Sequence, residues 1–188
     1  RRDLPVLLAL PERLLPSAQQ IGVPASGEIQ ILTRDLDVDV MDNYDESGGD
    51  KGANQGLSLA DSPSTEWVRA YCGADVDVDL ASSVVRSADG PVTFASVCDP
   101  GDGGDLIAIG RAAVTRGPDQ VGWLGITALW TRPDHRRSGH ASAVLRDLMR
   151  WGASHGGQRA YVQVDDHHTG GIADVGLADG DIAGDWYR

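Results

Sequence analysis

Apolar and polar positions follow different registers along this chain, and the register changes at turn residues. The strongest helical signal is Ala141, Val144, Leu145, Leu148, Met149 and Gly152, spaced by three and four residues so that one helix face is apolar. Gly156-Gly157 follows and predicts the stop. Upstream, Val92–Cys98, Leu106–Thr115 and Trp123–Thr131 are apolar runs of strand length. The Gly-, Pro- and Asp-rich connections 99–105 and 116–120 predict that these three strands are antiparallel neighbours. After the helix, Arg159–Val164 (RAYVQV) predicts a buried strand.

Earlier in the chain, Leu57 and Leu59 suggest a short strand. Ser62-Pro63-Ser64-Thr65-Glu66 then has the hydroxyl and acidic residues of a helix start. Trp67, Ala70 and Tyr71 are placed on one face of that helix. A second helix is expected over Val78–Ala88, stopped by Asp89-Gly90-Pro91. The stretch Asp37–Gly56 is poor in apolar residues and rich in Asp, Gly and Asn, as an exposed linker is. Before it lie Leu7–Leu10, a short helix expected from Pro11 through Glu12, Arg13, Leu14 and Leu15, and a strand over Glu28–Thr33. A segment of about forty residues cannot bury a core alone, so it either packs on the main domain or belongs to a larger N-terminal one. The expected division is residues 1–50, an N-terminal segment with its acidic linker, and residues 51–188, the main domain. Strand, two helices, three antiparallel strands, a long helix and a further strand make an α+β layout.

Composition narrows the class. With 41% hydrophobic residues in a chain of 188, a packed core is expected and wholesale disorder is excluded. The longest apolar run, Leu4–Leu10, contains Pro5 and is far below the ~20 residues of a membrane span. No secretory leader pattern is present, so a cytoplasmic location is expected. The first residue is Arg1, which suggests a fragment or trimmed product. Cys72 and Cys98 match neither a disulfide framework nor a metal clip, and both read as small buried or half-buried hydrophobes. The net charge is −12, with 24 Asp and 4 Glu against 15 Arg and Lys51 alone. That sign disfavours sequence-independent nucleic-acid binding and mildly favours a cationic partner. Asp-rich and Arg-for-Lys usage arising from coding bias or a salty cytoplasm accounts for it better, since the acidity is spread over loops and not gathered at one motif.

Chemistry concentrates at Arg136-Arg137-Ser138-Gly139-His140-Ala141, between a strand and the apolar-striped helix. Gly139 permits a sharp turn and close approach of a ligand to the main chain. The unpaired N–H groups at a helix start carry the positive end of the helix dipole and suit a phosphate or diphosphate. Arg136 and Arg137 add full charge with a fork that fits phosphate. The stretch 129–141, running into Ala143-Val144-Leu145, resembles the acetyl-CoA-binding motif of the GCN5-related N-acetyltransferase (GNAT) superfamily. There, a strand is followed by Gln/Arg-x-x-Gly-x-Gly/Ala. The likeness covers 110–164 throughout, and the element order extends it back to Leu57. In detail it is to actinobacterial-type members with an extra N-terminal region.

The resemblance implies a mixed, largely antiparallel sheet flanked by helices, with a small N-terminal appendage. It implies acetyl-CoA as cofactor and direct attack of an amine on the acetyl thioester. Arg136, Arg137, Ser138, Gly139, His140 and Ala141 match the loop that receives the diphosphate. Leu129, Trp130 and Thr131 match the strand along which the pantetheine arm lies, and the splay between that strand and Arg159–Val164 would hold the thioester. The acceptor would be a small-molecule or peptide amine, with no nucleic acid or membrane involved, and the assembly is compatible with a homodimer. Two departures bear on catalysis. Trp130 stands where many members carry a basic Glu, and no Tyr follows the next strand where many place a general acid. The nearest replacements are Asp165, Asp166, His167 and His168, although each read singly fits a polar strand end or loop. These four lie too close together to close a metal site, and none is expected. His135 is expected in the turn beside the phosphate site, and His155 at the helix end, where it complements the dipole. The alternative to an enzyme is a non-catalytic acyl-CoA-binding or assembly module of the same fold.

Overall fold

The computed structural model describes residues 15–22, 29–36, 56–99, 101 and 104–165. Along the chain these are α1 (Leu15–Gln20), β1 (Ile29–Asp35), β2 (Leu57–Ala60), α2 (Thr65–Cys72), α3 (Val78–Arg86), β3 (Val92–Cys98), β4 (Leu106–Arg116), β5 (Gly122–Thr131), a 3-10 turn (Pro133–His135), α4 (His140–Ser154) and β6 (Arg159–Asp165). The expected Leu7–Leu10 run and the start of a helix at Pro11 lie outside the described residues; the described helix is Leu15–Gln20.

Among the described residues six strands form one sheet in the order β1-β6-β5-β4-β3-β2. All neighbouring pairs are antiparallel except β5 and β6, which run parallel and are joined by α4. A parallel pair requires such a crossover, because a tight turn can only reverse the chain. β1, from the N-terminal segment, pairs with β6 along its whole length, from Ile29 opposite Asp165 to Asp35 opposite Arg159.

Side chains from the two faces of the sheet make two cores. On one face α4 lays Val144, Leu145, Leu148 and Met149 over Ala112, Val114, Leu124 and Ile126. Two glycines let it approach. A Cβ on Gly110 of β4 would stand 2.6 Å from Val144 Cγ1, and one on Gly152 of α4 would stand 2.5 Å from Leu124 Cδ2. Ordinary carbon contacts need about 3.5–4.0 Å. On the other face α2 and α3 cover a smaller core of Trp67, Val68, Phe94 and Ile109. Trp67 is fully buried, meets Phe94 edge-on at 5.2 Å and donates its indole N–H to the Ala95 carbonyl at 3.0 Å. That bond lets a polar ring atom be buried without loss.

Both helices on this face start on side-chain caps. Ser64 Oγ accepts from the Trp67 N–H at 3.1 Å, and Asp77 Oδ1 accepts from the Leu80 N–H at 3.1 Å. Trp67, Ala70 and Tyr71 share one face of α2, Ala70 packing on the Trp67 core and the Tyr71 ring lying 5.8 Å from that of Trp67, although Tyr71 is 50% exposed and the second buried residue is Val68. One expectation is corrected here. Cys98 is half-buried as expected, but Cys72, at the last turn of α2, is exposed, and both are free thiols.

Candidate active site

β5 and β6 pair only from Trp123 opposite Arg159 to Ile126 opposite Val162. Beyond Ile126 the two strands part. β5 continues to Thr131 against β4, while β6 continues to Asp165 against β1. The parting coincides with an irregularity. Ala128 has φ 55°, and the β4–β5 register slips between Ile109 and Arg111. One extra residue in a strand bends it and redirects its side chains. Thr127 to Thr131 therefore have no strand partner on the β6 side among the described residues. The opening lies between two strand edges, as an extended chain would need if it were to add to β5.

The opening leads to the turn before α4. Arg132 still pairs with β4, donating its N–H to the Ile107 carbonyl at 2.8 Å. Pro133–His135 forms a 3-10 turn, as Pro at its start favours. The backbone then passes through two left-handed residues, Arg137 at φ 64° and Gly139 at φ 79°. Gly139 caps α4 with no side-chain bond, unlike Ser64 and Asp77 on the other long helices. Among the described residues nothing accepts from the N–H groups of Gly139, His140, Ala141 or Ser142. They form a row of unused donors at the positive end of a fifteen-residue helix. His140 Nδ1 is buried beside them without a partner. Arg136, Arg137 and Ser138 are exposed around the rim.

A charged brace holds the turn. Arg132 Nε donates to Asp134 Oδ1 at 2.9 Å, and its Nη1 lies 3.6 Å from Asp105 Oδ2 on the neighbouring β3–β4 connection. Arg132 also contacts the His135 ring, which lies 6.1 Å from that of His140. Arg136 Nε donates to the Thr131 carbonyl at 3.3 Å, so the loop folds back on the end of β5. The donor set thus fits a diphosphate group, and the strand opening fits the extended arm that would follow it.

Of the residues singled out from sequence, Leu129, Trp130 and Thr131 lie on β5 beyond the parting, and 136–141 form the turn and the first turn of α4. Leu129 packs into the α4 core, and Trp130 packs against the Trp67 core on the opposite face. Asp165 is the last residue of β6; Asp166, His167 and His168 lie outside the described residues. His155 sits at the end of α4, stacked on Trp151 at 4.3 Å with Nδ1 2.8 Å from the Trp151 carbonyl. Sequence reasoning missed Arg111 and Tyr161. Their only signal was a charged and a phenolic residue inside otherwise apolar strands.

A sheet opened between two parallel strands, with a bare helix N-terminus at its mouth, defines the GNAT class of acetyltransferase fold. Residues 1–179 match the model of the family described as "Probable histone acetyltransferase Rv0428c C-terminal", and the chain belongs to that family. It is 31% identical over 174 residues to "Probable histone acetyltransferase Rv0428c" of Mycobacterium tuberculosis, covering 92% of this chain and 49% of that protein. The chain thus spans about half the length of the curated relative it matches.

Solved structures agree on the fold. Glucosamine-6-phosphate N-acetyltransferase from Arabidopsis thaliana superposes with TM-score 0.51 at 13% identity, over 68% of this chain and 95% of that one. AAC(6')-Iy, in complex with the bisubstrate analog CoA-S-monomethyl-acetylneamine, superposes with TM-score 0.50 at 13% identity, over 67% and 92%. Among the described residues no helix is long and apolar enough to cross a membrane, and no group of His, Cys, Asp and Glu is placed to hold a metal ion.

Proposed function

We propose that this chain binds acetyl-CoA and transfers its acetyl group to a primary amine. The observation that carries this reading is the row of unpaired N–H groups from Gly139 to Ser142 at the mouth of the β5–β6 opening. These donors, with Arg136 and Arg137, would hold the coenzyme A diphosphate. The unpaired edge of Leu129, Trp130 and Thr131 would hold the pantetheine arm. Acetyl-CoA, when bound, supplies an activated thioester. The chain's own part is to orient an amine toward the opening and to keep that amine uncharged. Ala128 and Trp130, both partly buried, supply apolar surroundings on the α2–α3 side, where an uncharged amine is favoured over an ammonium. Alignment of the two reactants supplies much of the rate in such a transfer. Asp165, Asp166, His167 and His168, at and beyond the end of β6, are the proposed groups for moving the amine's proton.

For the acceptor, the net charge of −12 favours a cationic amine, such as a polyamine, an amino sugar or a basic peptide. The relative described as a probable histone acetyltransferase supports a basic protein among these. Trp130 in place of a proton-accepting carboxylate favours a second reading, a module that binds acyl-CoA without transferring it. Two measurements test the pair. At a hundredfold excess over Kd, CoA should stabilise the folded chain by about 2.7 kcal/mol, raising Tm by roughly 5–10 °C. That rise should vanish in Gly139→Asp, whose carboxylate would face the diphosphate. An unchanged rise in the variant would overturn the loop assignment. Thiol release from acetyl-CoA across an amine panel then separates enzyme from module.

A further inference from the structure

Arg111 is a half-buried cation that has no counter-ion among the described residues. It lies in the middle of β4, opposite Phe94 of β3 and Thr127 of β5. Directly opposed residues share a sheet face, so Arg111 and Thr127 point to the α2–α3 side with Phe94. Its Nε donates to the Val85 carbonyl at 2.5 Å and one Nη to the Ser87 carbonyl at 3.1 Å. The other Nη reaches Thr127 Oγ1 at 3.5 Å. The first two contacts latch the end of α3 to the sheet, the third ties β4 to β5, and all three acceptors are neutral. A guanidinium carries five N–H donors, so two remain.

Among the described residues of this strongly acidic chain, no carboxylate pairs with Arg111. Burial pushes its pKa down, while Tyr161 and Tyr71 work in the opposite direction. A latch alone needs neither the remaining donors nor an unbalanced charge.

The position of Arg111 matters as much as its charge. Thr127 is the first residue of β5 after the last pairing with β6, so the guanidinium lies at the point where the strands part. Tyr161 of β6 is opposite Gly125 of β5, two residues before Thr127 and on the same face. Its hydroxyl lies over Gly125, 2.7 Å from where a Cβ would stand, and a side chain there would displace it. Arg111, Thr127 and Tyr161 therefore line one side of the opening. That side faces α2 and α3, away from α4, whose N-terminal turn is assigned to the cofactor.

We propose that Arg111, with the hydroxyls of Thr127 and Tyr161, forms a subsite for a carboxylate carried by the acceptor, so that the acceptor holds an amine and a carboxylate in one molecule. The planar fork of arginine suits a carboxylate in a way that a point charge does not. The overall acidic field and this local cation then act together, the field on the amine and Arg111 on the acid end. This rests on the acetyltransferase reading and narrows it.

The test uses N-acetylated ω-amino acids of increasing chain length, each paired with its carboxamide, titrated by calorimetry into CoA-saturated protein. For at least one length the carboxylate should bind about tenfold or more tightly than the amide, as expected of a charge-assisted contact. In Arg111→Gln that preference should collapse to about twofold or less. Tyr161→Phe, which keeps the ring over Gly125, should lower it several-fold. No preference at any length, or one untouched by both variants, would overturn the subsite. If Arg111→Gln does not fold, Tyr161→Phe and Thr127→Val decide the matter. CoA binding is measured first on the same protein. Its absence would bring down the transferase reading, whereas CoA binding without carboxylate preference would bring down the subsite alone.

Discussion

Replacing Gly152 with Ala sets two effects of opposite sign against each other. Inside a helix, Gly→Ala ordinarily stabilises by up to about 1 kcal/mol, because alanine loses less backbone freedom on folding. Here the added methyl would stand 2.5, 2.6 and 2.9 Å from Cδ2, Cδ1 and Cγ of Leu124. Leu124 is fully buried in the core under α4, so it has no open space to turn into. Overfilling a packed core costs about 1–3 kcal/mol. Three simultaneous overlaps of roughly 1 Å against ordinary carbon contact place the variant in the upper part of that range. The clash should outweigh the propensity gain, leaving Gly152→Ala about 1–2 kcal/mol less stable. That corresponds to a fall in Tm of roughly 2–8 °C for a domain of this size. Urea unfolding followed by far-UV circular dichroism measures it by linear extrapolation. Adding Leu124→Val should recover part of the loss, with a coupling of about 0.5–3 kcal/mol between contacting sites. A Gly152→Ala protein as stable as the parent, or more so, would refute the claim that α4 is seated directly on β5.

The other predictions concern the opposite face. Trp67→Ala should cost about 3–5 kcal/mol in the same unfolding assay, since the lost ring leaves a cavity and frees the Ala95 carbonyl from its indole partner. Ser64→Ala should cost about 1 kcal/mol through loss of the α2 cap. The Glu66 carboxyl is held below its ordinary value near 4.5, first by a bond from its own backbone N–H, then by the Ser64 hydroxyl and the Arg69 charge. A depressed folded-state value means that the stabilisation is complete above about pH 4.5 and fades as pH falls through the lower, folded value. An NMR titration of Glu66 should show the depression and its partial reversal in Ser64→Ala; an equal titration in both proteins would exclude the hydroxyl as a cause.

How much of this molecule its sequence discloses depends on how local each cause is. β3, β5 and α4 stand within a residue or two of where turn residues and apolar spacing put them, because both signals lie inside the element. The loop at 136–141 was readable for the same reason, since a glycine, two arginines and a helix start are contiguous. The pairing of β1 with β6 had no local sign, because Ile29 and Asp165 meet only in the folded sheet. The parting of β5 from β6 was hidden too. Ala128 adopts φ 55° in a run that reads as uniform strand, and alanine gives no hint of a left-handed turn. Arg111 escaped because its meaning lies in which face β4 turns toward α3, a three-dimensional fact. Trp130 was recognised as a departure from the expected acid–base residue, yet its packing against the Trp67 core needed the fold.

The place of β1 has a practical consequence. A chain shortened to begin near Gly56 would retain the opening and the α4 turn but lose the strand that covers one flank of β6. The bared amide edge would be a template for strands of other molecules, and such a version would be expected to self-associate and precipitate more readily than the longer one. Attempts to isolate the half of this architecture that carries the β5–β6 opening should therefore keep residues 29–36, however remote from the α4 turn they stand in the linear order.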